Sequence, residues 1–161
     1  MSATAGPKLA LKAQFMLNSG TFASPVWSNV SLVGDATVSP DWEKADASIR
    51  GQRLVQNVKT MLGLSFSAKV RADDTDINYG TIWSAANNDT ILNVLILDGP
   101  LSQQGPRGYW IDVQVFKNTQ DQGLKNIIYT DFEFMPTPSV NQQSSVVIGA
   151  SSTITSSVIG T

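Results

Sequence analysis

Strict alternation of apolar and polar side chains is the strongest pattern along this chain. In "LGLSFSAKVR", Leu62, Leu64, Phe66, Ala68 and Val70 alternate with Gly63, Ser65, Ser67, Lys69 and Arg71, which predicts a strand with one buried and one wet face. "LALKAQFML" places Leu9, Leu11, Ala13, Phe15 and Leu17 on one face against Lys12 and Gln14. "GYWIDVQVFK" sets Tyr109, Ile111, Val113 and Val115 against Asp112 and Gln114, while Trp110 and Phe116 add apolar bulk to the second face, so cover is expected on both sides. "TILNVLIL" is nearly continuous in β-formers and reads as a central strand, and "KNIIYTDFEF" presents Ile128, Phe132 and Phe134 on one side.

A period of 3.6 occurs once. "DDTDINYGTIWSAANN" offers N-cap residues in Asp73, Asp74 and Thr75, then Tyr79, Ile82, Trp83 and Ala86 at helical spacing, with the two asparagines as a stop. Five or more antiparallel strands and one inserted helix predict a mainly β fold, an antiparallel β-sandwich or curled barrel with the helix covering an edge or open face.

Two stretches break the pattern. "GDATVSPDWEKADASIRG", residues 34–51, separates two good strands and is far longer than the two to five residues that join a hairpin. From Gly34 to Arg53 it gathers Asp35, Asp41, Glu43, Lys44, Asp46, Arg50 and Arg53, seven of the chain's 24 charges. Mixed charge around one aromatic, Trp42, suits a specific protein contact; a merely solvated loop is the competing reading. From Pro136 onward the chain carries no charge, is rich in serine and threonine, and echoes itself in "SSVVIG" and "SSVIG". The expected organisation is one domain over 1–136 and an extension over 137–161. The extension is either a disordered tail or a source of strands, through Val146, Val147, Ile148, Val158 and Ile159, that dock on a neighbouring subunit's sheet edge.

Composition removes whole classes of chemistry. Among 161 residues there is no cysteine and no histidine, which excludes disulfides, thiolate nucleophiles, imidazole bases and the usual zinc sites. A formal net charge of −2 and a sequence pI near 4.9 argue against a phosphate-gripping surface and against membrane surfaces. No signal peptide or membrane span is read, so a soluble cytoplasmic product is expected.

The remaining candidate chemistry is thin. Asp131 and Glu133 share a strand face, but neighbouring carboxylates on a wet strand are ordinary and glycosidase pairs face each other across a cleft. "DDTD" lacks the spacing and closing glutamate of a calcium loop, so helix capping is favoured. "DGPLSQQGPRG" joins two strands and opens no helix, which makes it a long, mobile connection and not a phosphate cradle. Trp83 and Trp110 are expected in the core, leaving Trp27 and Trp42 as loop aromatics. These two carry the competing reading, a monomeric β-sandwich carbohydrate-binding module.

The ordered set "LKAQFMLNSGTFASPVWSNVSLVGDATVSPDWEKADASIRG", "LGLSFSAKV", "INYGTIWSAA" and "LILDGPLSQQGPRGYWIDVQVFKNTQ" resembles the major tail tube proteins of long-tailed bacteriophages, from about Lys12 to Pro136. The resemblance implies a structural virion protein and no enzyme. It implies a β-sandwich with a helix at its side, forming hexameric rings that stack into a hollow tube for DNA ejection, with strands of six subunits joined into a lumen-lining barrel. It implies an assembly loop at Asp41, Trp42, Glu43, Lys44, Asp46, Arg50 and Arg53. The implied partners are further copies of itself, tape-measure, tail-tip and terminator proteins, and passing double-stranded DNA, with no cofactor and no membrane. The place is the virion tail, after synthesis in a host bacterium's cytoplasm. The inner tube of a contractile or prophage-derived injection particle is the related alternative. "IRGQRLVQN" departs from the more glycine-rich family pattern.

Overall fold

A computed structural model describes residues 13–30, 33–48, 57–123, 127–138, 144–149 and 154–158. In chain order the elements are β1 (Gln14–Asn18), β2 (Trp27–Asn29), β3 (Val33–Asp46), β4 (Asn57–Arg71), α1 (Ile77–Asn88), β5 (Leu92–Leu97), β6 (Arg107–Asp121), β7 (Tyr129–Pro136), β8 (Ser144–Ile148) and β9 (Ile154–Val158). All pairings are antiparallel, and the main path runs β2-β1-β5-β6-β7-β4-β3. The two ends of this path, β2 and β3, are not paired with each other, so the sheet curls without closing.

The path forks at β6. One edge of β6 pairs with β5 from Gly108 to Val113. Its other edge holds β8 over Arg107–Trp110 and then β7 over Val113–Asp121. A register shift between Val115 and Lys117 marks a bulge, the device by which a long strand bends. The two halves of β6 therefore belong to two layers, β2-β1-β5-β6-β8-β9 and β6-β7-β4-β3. They fold face to face: the Phe15 ring of β1 lies 4.8 Å from Phe66 of β4 and 5.6 Å from Phe134 of β7. At the fork the β5 backbone passes so close to Gly108 that a Cβ there would sit 1.7 Å from the Ile96 carbonyl oxygen, so only glycine fits.

Alternation decides what each face buries. Phe15, Leu17, Phe66, Ala68, Val70, Val94, Ile111, Val113, Phe132 and Phe134 form the main core. On the opposite face of β1 and β5, Met16, Leu95 and Leu97 form a second cluster with Val146 and Ile148, against which Trp110 packs. Around Trp110 both faces of β6 are thus covered, as its dual apolar pattern suggests; Phe116, the other half of that pattern, departs from expectation and stays 62 % exposed beyond the reach of the second cluster.

The helix closes one side of the main core through Tyr79, Ile82 and Ala85. Asp76 caps its N-terminus, accepting from the Asn78 N–H at 2.8 Å, and Asp73 accepts from both the N–H and the hydroxyl of Thr75. The acidic run does capping work, as expected, but the cap itself is Asp76 and not Asp73, Asp74 or Thr75, because the helix starts at Ile77; Asp73 orders the turn before it. Trp83 departs from expectation: one residue beyond Ile82 its side chain turns off the buried stripe, and it stacks on Tyr79 while 38 % exposed. Ile128 also departs, since it precedes the ladder of β7 and stays exposed. Leu9, Leu11 and Lys12 lie outside the described residues.

Candidate functional site: edges and an arm

Most of the polar run is strand and not loop, and its residues 49–51 lie outside the described ones. Up to Asp46 it is β3, an end strand paired with β4 from Val33↔Val70 to Asp46↔Asn57. β7 supports β4 only from Phe66 to Arg71, so β3 beyond Pro40 and β4 before Leu64 leave the sheet together as a two-stranded arm. An arm with no layer against either face needs polar residues on both, which is why the run lacks an alternating apolar set. Asp41, Trp42, Glu43, Lys44 and Asp46 are all exposed on this arm. Lys59 places its ammonium 5.3 Å from the Trp42 ring centre. Hydrogen bonds from Ser48 hold the Asp46 carboxyl below its ordinary pKa. Arg50 and Arg53 lie outside the described residues.

A second open feature lies on β6. Past Val113 its β5-side edge has no strand partner among the described residues, so Gln114–Asp121 pairs only with β7. Phe116, 62 % exposed, stands on this stretch at the bulge. Among the described residues the layer β6-β7-β4-β3 therefore has an unpaired edge on each side.

The C-terminal segment differs from both sequence readings. Over Ser144–Ile148 and Ile154–Val158 it is an ordered hairpin, and β8 docks on its own chain's β6. Val146 and Ile148 are buried in the second cluster, while Val147 points outward. Val158 pairs with Ser144 in the ladder, and Ile159 lies outside the described residues. The 98–108 connection is tied down: Arg107 N–H donates to Asp98 Oδ1 at 2.7 Å, Leu101 N–H to Gln14 Oε1 at 2.8 Å, and Gly105 N–H to the Ile148 carbonyl at 2.8 Å.

The candidate chemistry finds ordinary roles. Asp131 faces Lys69 across the β4–β7 ladder, and Glu133 faces Ser67 there and Lys117 across β6–β7. These are cross-strand neighbours of opposite charge on a wet face, with no cleft between the carboxylates. Among the described residues no group of acids forms a metal-binding cluster. Trp27 and Trp42 sit on β2 and β3, at opposite ends of the sheet path, so they build no common sugar platform. Trp27 is also half-buried, edge-on to Trp110 at 5.5 Å.

One network escaped the sequence reading. Asn93 and Asp112 are direct partners across β5–β6, and Asn93 Nδ2 donates to Asp112, whose residue is 4 % exposed. Asn93 Oδ1 accepts from Trp110 Nε1 at 2.9 Å and from Asn18 Nδ2 at 3.0 Å. Asn18 Oδ1 in turn accepts from the Gly20 and Val26 N–H groups, both at 2.9 Å, fixing the turn between β1 and β2. The visible signal was a single polar residue inside each of two apolar runs, "TILNVLIL" and "GYWIDV".

No family model matches the sequence, and no curated protein matches it. Solved structures do match by fold. The SPP1 tail tube, determined by solid-state NMR and cryo-electron microscopy, superposes with a TM-score of 0.70 at 6 % identity, covering 86 % of this chain and 78 % of that one. A chain from the tail of an empty gene transfer agent (GTA) particle, refined with C6 symmetry, gives 0.67 at 7 % identity, covering 83 % and 96 %. A chain from the anti-feeding prophage baseplate, 6-fold symmetrised, gives 0.57 at 11 % identity, covering 94 % and 99 %. The chain has the fold shared by these tail and baseplate proteins.

Proposed function

We propose that this chain is a structural tail tube subunit, with six copies per ring and rings stacked into a hollow tube that conducts DNA. The observation that carries the reading is the pair of unpaired edges on one four-stranded layer, β6-β7-β4-β3. Two different edges on one subunit make a head-to-tail contact, and such a contact closes into a ring when the rotation per copy divides a full turn. β3 of one copy then pairs with Gln114–Asp121 of the next, completing both ladders and removing two aggregation-prone edges. The C6 and 6-fold symmetry of the matching particles supports this reading.

The wet face of that layer suits a channel wall. It offers Thr37, Ser39, Ser65 and Ser67, and it sets Lys69 opposite Asp131 and Lys117 opposite Glu133. Matched charges release few counterions to a passing polyanion, so DNA gains no grip. The arm carrying Asp41 to Asp46, with Arg50 and Arg53 on the segment beyond, is the contact to a further copy, in the same or the adjacent ring. The role requires no catalytic group. Tape-measure, tail-tip and terminator proteins are the proposed partners at the tube's interior and ends, and the virion tail is the proposed location, after synthesis in a bacterial cytoplasm. No helix among the described residues is long and apolar enough to cross a membrane.

The near-complete mutual coverage with the anti-feeding prophage chain supports a second form of the same reading, the inner tube of an injection particle. A sheath protein that co-purifies on the tube would select it. The primary test is negative-stain electron microscopy of concentrated protein, alone and with tail initiator components added. Rings or tubes of constant width with a central hole are expected; monomers alone under both conditions overturn the proposal.

A further inference from the structure

We infer that Pro40 is a pairing stop on the outer edge of β3: it ends the inter-subunit ladder at residue 39 and keeps the arm from pairing as a strand. The inference rests on the ring reading for its biological meaning and on ladder geometry for its physical content.

The β3–β4 register runs without a break through Ala36↔Ala68, Thr37↔Ser67, Val38↔Phe66, Ser39↔Ser65, Pro40↔Leu64 and Asp41↔Gly63. In an antiparallel ladder, alternate residues direct both backbone polar groups to the partner or both away from it. Proline has no N–H, so an unbroken ladder through residue 40 requires that Pro40 face away from β4. Ala36 and Val38 share its parity and also direct their N–H and C=O groups outward. The outer edge thus reads as usable at 36 and 38 and blocked at 40, where a donor is missing and the ring occupies the approach of an incoming strand.

The position of the block matches the supporting layer. Phe66, partner of Val38, is the first β4 residue that also pairs with β7, through Phe134. Residues 36–38 thus form the edge of a backed sheet, Pro40 is the next outward-facing position beyond it, and Asp41–Asp46 form the edge of an unbacked arm. Without the proline, a neighbour's strand could continue along β3 up to the register shift between Trp42 and Lys44 or slip toward it. Either event changes the number of residues paired per subunit and with it the geometry on which ring closure depends. An arm available as a strand edge would also pair with other arms, giving open-ended association.

The test uses the full chain carrying Pro40→Thr, which restores the donor with a β-forming side chain, and Ala36→Pro, which removes an outward donor from the backed half. Pro40→Ala substitutes if the threonine variant does not fold. Circular dichroism melts establish that each variant keeps the monomer fold. Pro40→Thr is expected to lower the concentration threshold for thioflavin-positive, hole-free association about tenfold, the effect of roughly one added ladder bond. Ala36→Pro is expected to abolish rings and leave the monomer intact. An unchanged threshold and tubes of wild-type width with Pro40→Thr overturn the pairing stop. Normal tubes with Ala36→Pro overturn the ring edge instead, so the two failures are distinguishable. If wild type makes no tubes, the association threshold of Pro40→Thr still decides the role of Pro40.

Discussion

Replacing Ile148 with alanine tests whether the uncharged C-terminal segment belongs to the folded domain. Ile148 is 1 % exposed and packs with Met16, Leu95, Leu97 and Val146 in the second cluster. Its backbone is held as well, with its N–H donating to the Pro106 carbonyl at 2.9 Å and its carbonyl accepting from Gly105. Truncating a fully buried isoleucine costs about 2–5 kcal/mol, through lost transfer energy and the cavity left behind. The higher end applies where neighbours are pinned and cannot collapse. Here β5 is hydrogen-bonded on both edges, to β1 and β6, and supplies Leu95 and Leu97. For a chain of this size each kcal/mol shifts Tm by roughly 2–4 °C, so a fall of about 5–15 °C is expected. The assay is a thermal melt at two protein concentrations tenfold apart. The same Tm at both is expected, because the hairpin docks on its own chain. A Tm within about 1 °C of wild type would refute the docking. A Tm that rises with concentration would place the hairpin on another copy.

Asn93→Ala removes one donor from buried Asp112 and the acceptor used by Trp110 and Asn18. A loss of about 1–3 kcal/mol in urea unfolding is expected, and an unchanged midpoint would contradict the network's role. Asp73 is held below its ordinary pKa by the Thr75 hydroxyl first, then the Thr75 N–H, with Arg71 assisting. Its folded-state pKa is depressed, so its stabilisation is present above the unfolded value near 3.8 and is lost as pH falls through the folded value. Asp73→Asn should therefore remove part of the acid-induced loss of stability, read from melts across pH 2–5; superimposable acid limbs would count against it. Lys44→Glu with Arg50→Glu should leave the monomer melt unchanged, because an exposed charge such as Lys44 contributes little to stability, while reducing tube yield by microscopy. Full yield would remove the arm from assembly.

The sequence disclosed what periodicity can disclose. β4 was legible because its wet face made the alternation visible from Leu62 to Val70, and α1 because Tyr79 and Ile82 form a buried stripe behind an acidic run, although the cap fell on Asp76, after the three residues named for it. β3 was not legible as a strand: with both faces of the arm exposed, its side chains show no period of two. Long-range pairing was hidden for another reason. Nothing local to "SSVVIG" indicates that Val146 and Ile148 cover Leu95 and Leu97, and the tail's lack of charge fits disorder as well as burial. The polar network lay between, since Asn93 and Asp112 are odd in their runs but become a pair only once β5 and β6 are in register. Arg50, Arg53 and Ile159 fall outside the described residues, and their roles rest on the sequence alone.

The topology also has a consequence in time. Gln14 and Asn18 bond to Leu101 and Asn93, partners 87 and 75 positions away, so β1 and its local partner β2 cannot join β5 until more than half of the chain has been synthesised. Folds dominated by such distant pairings form in milliseconds to seconds, far more slowly than helical bundles. The edge on β6 appears only after β5 and β7 have found it, whereas the β3–β4 hairpin can form early from neighbouring sequence. If the chain assembles as proposed, one of the two edges of the ring contact is thus ready well before the other during synthesis. A nascent chain that displays half of that two-part contact would not propagate polymerisation, so the order of folding would itself delay assembly until both edges exist.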